Sequence, residues 1–138
     1  MAYLLDTCLL SEIWKPAPNQ GVMEWLSGTD EEELFLSALA LGELKKRIGK
    51  LGAGRKKQRL LRDYGRLRSR FSSRILGITA VVAERWGELT ADASRAGRHL
   101  HVVDGLVAAT ALIFGHTVVT RNEGDFAMTA VPVHNPWS

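Results

Sequence analysis

The sequence predicts an α/β fold, a three-layer α/β/α sandwich around a parallel sheet of four to five strands. Two observations carry that expectation. Short apolar runs such as Tyr3-Leu4-Leu5, Leu34-Phe35-Leu36 and Thr117-Val118-Val119 show no polar alternation, which is how strands covered on both faces read. Between them lie segments whose apolar residues recur every three or four positions. Strands and helices therefore alternate, joined by right-handed crossovers. The 138 residues, 46% hydrophobic and 24% charged, suit a single domain spanning 1–138 that buries about two-thirds of its unfolded surface. No apolar run approaches the roughly 20 residues a bilayer requires, and no signal-peptide pattern opens the chain. One cysteine, Cys8, fits a reducing compartment, so the expected location is cytoplasmic.

Taken in order, the first strand runs into Asp6, which by itself reads either as a helix cap or turn residue or as a site carboxylate. With Asp6 assigned to a site, Thr7 is left to cap a helix bearing Leu9, Leu10, Ile13 and Trp14 at helical spacing. Pro16 and Pro18 close it. Asn19 caps a second helix, Gly21 to Ser27. The triplet Glu31-Glu32-Glu33 reads as a solvated turn before strand two, Leu34 to Ser37. Ala38 to Lys50 is helical, with Ala40, Leu41, Leu44 and Ile48 along one side, until Gly49, Gly52 and Gly54 interrupt it. Arg55 to Arg74 forms the other arm of a helical hairpin, with Leu60, Leu61, Tyr64, Leu67 and Phe71 as its apolar stripe. Ile75 to Ile78 is a third strand, and Thr79 caps a helix from Ala80 to Ala96. From Asp104 a nearly all-apolar helix runs to Gly115, a natural left-handed cap. Thr117 to Thr120 is strand four. Val131-Pro132-Val133 is an edge strand, where the missing proline N–H costs no ladder bond.

Behind a net charge of +3 the charges are unevenly spread. Lys45 to Arg74 holds thirteen basic residues and one acid, Asp63, a net of +12, while the rest has five basic residues against fourteen acids. A basic hairpin beside an acidic remainder points to a polyanionic partner. Arg55, Lys56, Lys57 and Arg59 are the candidate backbone contacts, with salt-sensitive affinity expected. An acidic protein partner would use the same surface.

Four carboxylates carry the chemical signal. Asp6, Asp104 and Asp125 lie just beyond a strand or at the start of a helix, and Glu43 lies in the first turns of the helix after strand two. Open α/β sheets gather such positions in one crevice. Like charges there repel by about 4 kcal/mol per pair at 4 Å and an effective dielectric of about 20. A divalent cation relieves that repulsion, and oxygen-only donors favour Mg²⁺ or Mn²⁺. One or two such ions can activate a water and stabilise an in-line phosphoryl displacement. A receiver domain also places Asp at strand ends, but it needs a late lysine, and none follows Lys57.

Leu4-Leu5-Asp6-Thr7 with Leu10-Ser11-Glu12, then Gly42-Glu43-Leu44, then Asp104-Gly105-Leu106-Val107-Ala108-Ala109-Thr110-Ala111, then Val119-Thr120-Arg121-Asn122-Glu123-Gly124-Asp125-Phe126 follow one another along the chain. With these motifs the sequence resembles the PIN-domain ribonucleases, and among them the VapC-like toxins of type II toxin–antitoxin pairs. The resemblance implies a PIN-like fold over the whole chain and a Mg²⁺- or Mn²⁺-dependent endoribonuclease. It implies Asp6, Glu43, Asp104 and Asp125 as catalytic, metal-binding acids, bordered by Thr120 and Asn122. It implies an RNA substrate, a small cognate antitoxin and a toxin homodimer. Two alternatives share the same acids: a DNA-directed or structure-specific nuclease, and a catalytically weak nucleic-acid-binding module. The second is suggested by Cys8, which stands where the family usually has Asn. That thiol reads either as a small buried hydrophobe or as a change that weakens activity. Arg121 reads equally as a phosphate contact or a structural ion pair. His99 and His101 read as surface or site-rim residues, and Trp137 as packing on the sheet edge.

Overall fold

A computed structural model describes residues 1–138. Five parallel strands form one sheet in the order β3-β2-β1-β4-β5. They are β1 (Tyr3–Leu5), β2 (Leu34–Ser37), β3 (Ile75–Leu76), β4 (Thr117–Val119) and β5 (Val133–His134). The helices are α1 (Thr7–Glu12), α2 (Gln20–Ser27), α3 (Ala38–Gly49), α4 (Arg55–Arg70), α5 (Ala80–Arg95) and α6 (Val102–Phe114). β1 lies at the centre, with Leu4 paired to Phe35 on one side and to Val118 on the other. A central strand in a parallel sheet must be apolar on both faces, and Leu4 and Leu5 are buried accordingly.

Two core clusters cover the faces. Leu4, Val118 and Phe126 pack with Val82, Leu89 and Ala93 of α5 and Val107, Ala108 and Ala111 of α6. Leu5, Leu36 and Val119 pack with Leu9 and Leu10 of α1, Leu44 of α3 and Leu67 of α4. Alternate residues of one strand thus enter opposite layers, giving the three-layer α/β/α arrangement. No helix is long and apolar enough to cross a membrane.

Several local readings are corrected. α1 stops at Glu12 and α4 at Arg70, shorter than expected, because Trp14 and Ser72–Arg74 turn to reach the core and the strand that follows. β5 lies at Val133–His134 rather than 131–133, with the Pro132 carbonyl accepting from Val118 N–H ahead of it. Glu31–Glu33 form a short 3₁₀ turn, and Glu31 is not merely solvated. It accepts from Arg70 and from Arg74, the latter at 3.3 Å. α6 begins two residues before Asp104, which therefore sits in its first turn.

Gly105, next to Asp104, sets how closely α6 approaches α5. A Cβ there would lie 2.9 Å from Trp86 Cδ1 and 3.1 Å from Leu100 Cδ2. Both neighbours are packed, so they have little room to give. Gly105→Ala is expected to destabilise the fold by about 1–3 kcal/mol through overpacking, read as a lower urea midpoint.

Candidate active site

Asp6 leaves the end of β1 and caps α1, its Oδ1 accepting from Thr7 N–H at 2.9 Å. Asp6 is therefore the cap, and the expectation that Thr7 fills that role is overturned. The Thr7 hydroxyl instead donates to Glu43 Oε1 at 2.7 Å, tying α1 to α3 across the site. The second Asp6 oxygen accepts from the Thr120 hydroxyl at 2.8 Å, and that hydroxyl in turn accepts from Asn122 N–H at 3.0 Å. Thr7 and Thr120 are both buried, so these bonds are shielded from water. Such buried pairing holds a carboxylate in one orientation.

Asp104 projects from the first turn of α6 toward the same basin. Burial first, and then the charges of Asp125, Asp6 and Glu43, push its carboxyl up to about 6, while His101 partly offsets them. Burial likewise raises the Asp6 carboxyl, against the lowering effect of its Thr120 and Thr7 hydrogen bonds. All four acids therefore sit in one electrostatic field. Asp6 and Glu43 are held by protein donors. Asp104 and Asp125 have none, and Asp125 is exposed in the loop after β4.

As placed, no three Asp, Glu, His or Cys side chains converge tightly enough to hold one ion. The acids border a shared basin rather than forming a finished coordination shell. Their chemistry nonetheless suits a hard divalent cation: the donors are all oxygen and repel one another. Chelation would need side-chain rotation, which the two acids without protein donors permit.

The PIN-domain family profile matches residues 3–131. The chain belongs to the PIN-domain family. It is 36% identical over 138 residues to Toxin FitB of Neisseria gonorrhoeae, covering 97% of both chains. It is 30% identical over 135 residues to VapC ribonuclease Y4jK of Sinorhizobium fredii, covering 97% of this chain and 96% of that one. Among solved structures, FitAB bound to an IR36 DNA fragment superposes with a TM-score of 0.92 at 34% identity, over 99% of this chain and 96% of that chain.

In this PIN domain Cys8 faces the site. Its Sγ donates to Asp6 Oδ2 at 3.7 Å and lies 3.4 Å from Thr120 Oγ1. Burial and the Asp6 charge push the thiol up, so it stays protonated and offers Asp6 a weak donor rather than a thiolate ligand. Because Thr7 N–H and Thr120 already hold Asp6, Cys8→Asn is expected to change nuclease activity by less than about threefold. A larger gain would show that the thiol limits activity.

Of the candidate RNA contacts, Arg121 is exposed beside the site and forms no ion pair. Arg55, Lys56, Lys57 and Arg59 lie at the start of α4, an element that carries none of the four acids. Lys57 turns back to cap the Leu51 carbonyl at 3.2 Å. His99 and His101 are not on a strand; both are exposed, their rings 5.0 Å apart. Trp137 packs against the α1 side of the core and donates to Glu12 Oε1 at 3.3 Å. His101 lies at the rim of the site, where its charge acts on Asp104; the role of Thr7 in the site was not apparent from the sequence. A hydroxyl adjacent to the first acid was the only available signal.

Proposed function

We propose that this PIN domain is the toxin of a toxin–antitoxin pair, a metal-dependent endoribonuclease that hydrolyses RNA phosphodiester bonds. The observation that carries the chemistry is the shared site at Asp104, whose carboxyl is pushed up to about 6 first by burial and then by the charges of Asp125, Asp6 and Glu43, acids contributed by different parts of the chain. The relatives named Toxin FitB and VapC ribonuclease support the biological assignment, and a small cognate antitoxin and self-association of the toxin belong to the same proposal.

Asp6, Glu43, Asp104 and Asp125 would hold Mg²⁺ or Mn²⁺, which when bound neutralises these carboxylates and stabilises the charge developing on the phosphate. The chain's own groups do the rest. Thr120 and Thr7 fix the orientation of Asp6 and Glu43. Asp104 and Asp125 have no protein donor, so their free oxygens are left to take the ion or to orient the attacking water. Arg121 beside the site can contact the phosphate of the bound strand.

The test is cleavage of cellular RNA with and without Mn²⁺, with Asp6→Ala as control and DNA of matching sequence in parallel. Ion-dependent RNA cleavage that the variant loses supports the assignment. Equal cleavage by Asp6→Ala removes the acidic-site account, and a preference for DNA reassigns the substrate.

A further inference from the structure

α1 and α3 are bridged twice. The Thr7 hydroxyl donates to Glu43 inside the acidic basin. One turn further along both helices, Arg47 Nη1 donates to the Ser11 hydroxyl at 2.6 Å. That second bridge opens a groove of about 450 Å³ between α1, α3 and the start of α4, lined by Ser11, Trp14, Arg47, Leu51, Lys56 and Arg59 among others. Four residues of helix advance about 6 Å, so the Ser11–Arg47 end of the groove lies one helical turn from Thr7 and Glu43.

Its chemistry is unlike that of the rest of the basic hairpin. Elsewhere many cations are used internally: Arg70 and Arg74 pair with Glu31, Arg66 with Asp63, and Lys57 caps a carbonyl. Lys45 lies over the Tyr64 ring. Arg47, Lys56 and Arg59 are exposed and have no acidic partner. Between them Trp14 rests partly against the core and partly lines the groove. The outer concavity on α4, by contrast, holds Arg62, Arg66 and Arg70 with no apolar lining residue. An aromatic platform rimmed by free cations is how proteins hold single-stranded nucleic acid, bases on the ring and phosphates on the rim.

We propose that the α1/α3/α4 groove binds a single-stranded segment of the RNA flanking the cleaved phosphate, with a base on Trp14 and backbone phosphates on Arg47, Lys56 and Arg59. This rests on the nuclease reading above and assigns the substrate path to that site. Arg47, Lys56 and Arg59, which have no acidic partner, favour a polyanion on the rim, and a position one helical turn from Glu43 favours the strand being cut.

The test is fluorescence anisotropy of a labelled 12-nucleotide RNA of mixed sequence, in EDTA so that no cleavage intervenes. Trp14→Leu keeps apolar bulk but removes the stacking face, and its affinity is expected to fall about tenfold or more. Trp14→Phe is expected to bind within about threefold of wild type, with unchanged circular dichroism for both. The triple variant Arg47→Ala, Lys56→Ala, Arg59→Ala is expected to lower the salt slope by about 2, and Arg62→Ala with Arg66→Ala on the outer face by less. Wild-type affinity in both Trp14→Leu and the triple variant overturns the groove assignment. So does loss of binding to a Glu-rich amphipathic peptide with RNA affinity kept, which would mark a protein-docking surface. Because binding is read without cleavage, those outcomes leave the acidic site standing. A wild-type protein that neither binds nor cuts RNA overturns the nuclease reading and the groove together.

Discussion

Asp104→Asn is expected to lower RNA cleavage by at least about 10³-fold, the scale seen when a charge-bearing catalytic group is removed. The same change is expected to stabilise the protein in the absence of divalent ions. Burial and then Asp125, Asp6 and Glu43 raise the Asp104 carboxyl to about 6, so the folded state holds its proton more tightly than the unfolded chain does. Between about pH 4 and 6 the native form binds more protons, and stability falls as pH rises through that window. Above it the full cost remains. About 3 kcal/mol would follow in a fully buried setting, but the side chain is only partly buried and solvent screening reduces this to about 1 kcal/mol. The neutral amide avoids that cost. A melting-temperature gain of about 3–5 °C at pH 7.5, vanishing near pH 4, is the expected signature. Wild-type cleavage at sub-saturating Mn²⁺ should decline as pH is lowered through about 6. A variant that is inactive and also less stable would place Asp104 in the fold rather than in the site.

Glu12→Ala is expected to cost about 2–4 kcal/mol of stability, although Glu12 lies outside the acidic basin. Its carboxylate is only 6% exposed and accepts from Lys15 Nζ at 3.0 Å, Asn19 N–H at 3.0 Å and Trp137 Nε1 at 3.3 Å. Removing it strands two partly buried donors, at about 1–3 kcal/mol each. It also loosens the chain's last turn, where Asn19 accepts from Ser138 N–H at 3.2 Å. The Lys15 hydrogen bond, then the Asn19 N–H, holds the Glu12 carboxyl below its usual range. A lowered carboxylate contributes stability above the unfolded value near 4.5, and that contribution is lost as pH falls through the folded value. The gap between wild type and variant in urea unfolding should therefore be full at pH 7 and should close as pH falls below about 4. An unchanged midpoint at pH 7 would show that this clasp is not structural.

What the sequence revealed depended on how local each determinant is. β1, β2 and β4 were legible because apolar runs in a parallel sheet do not depend on their partners. β3 and β5 have two residues each, and their limits are set by neighbouring strands. The four acids stood out as candidates because each lies at a strand end or near a helix start, and Asp125, Asp6 and Glu43 each act on the charge of Asp104. Either Asp6 or Thr7 can cap a helix, and the cap falls to Asp6. The choice is made by Glu43, thirty-six positions away, which takes the Thr7 hydroxyl. Distance in sequence also concealed the pairing of Arg70 and Arg74 with Glu31 and the Arg47–Ser11 bridge. The basic hairpin therefore read as one continuous surface, whereas the structure divides it into cations that are internally paired and cations that are free.

The central claim is that Asp6, Glu43, Asp104 and Asp125 act as one divalent-cation site. Calorimetric titration of Mn²⁺ into wild type and into the four single alanine variants tests it most directly. The account predicts measurable binding by wild type that weakens at least tenfold in every variant, with protons released on binding at pH 6. Binding that survives unchanged in any two of the four variants would contradict it.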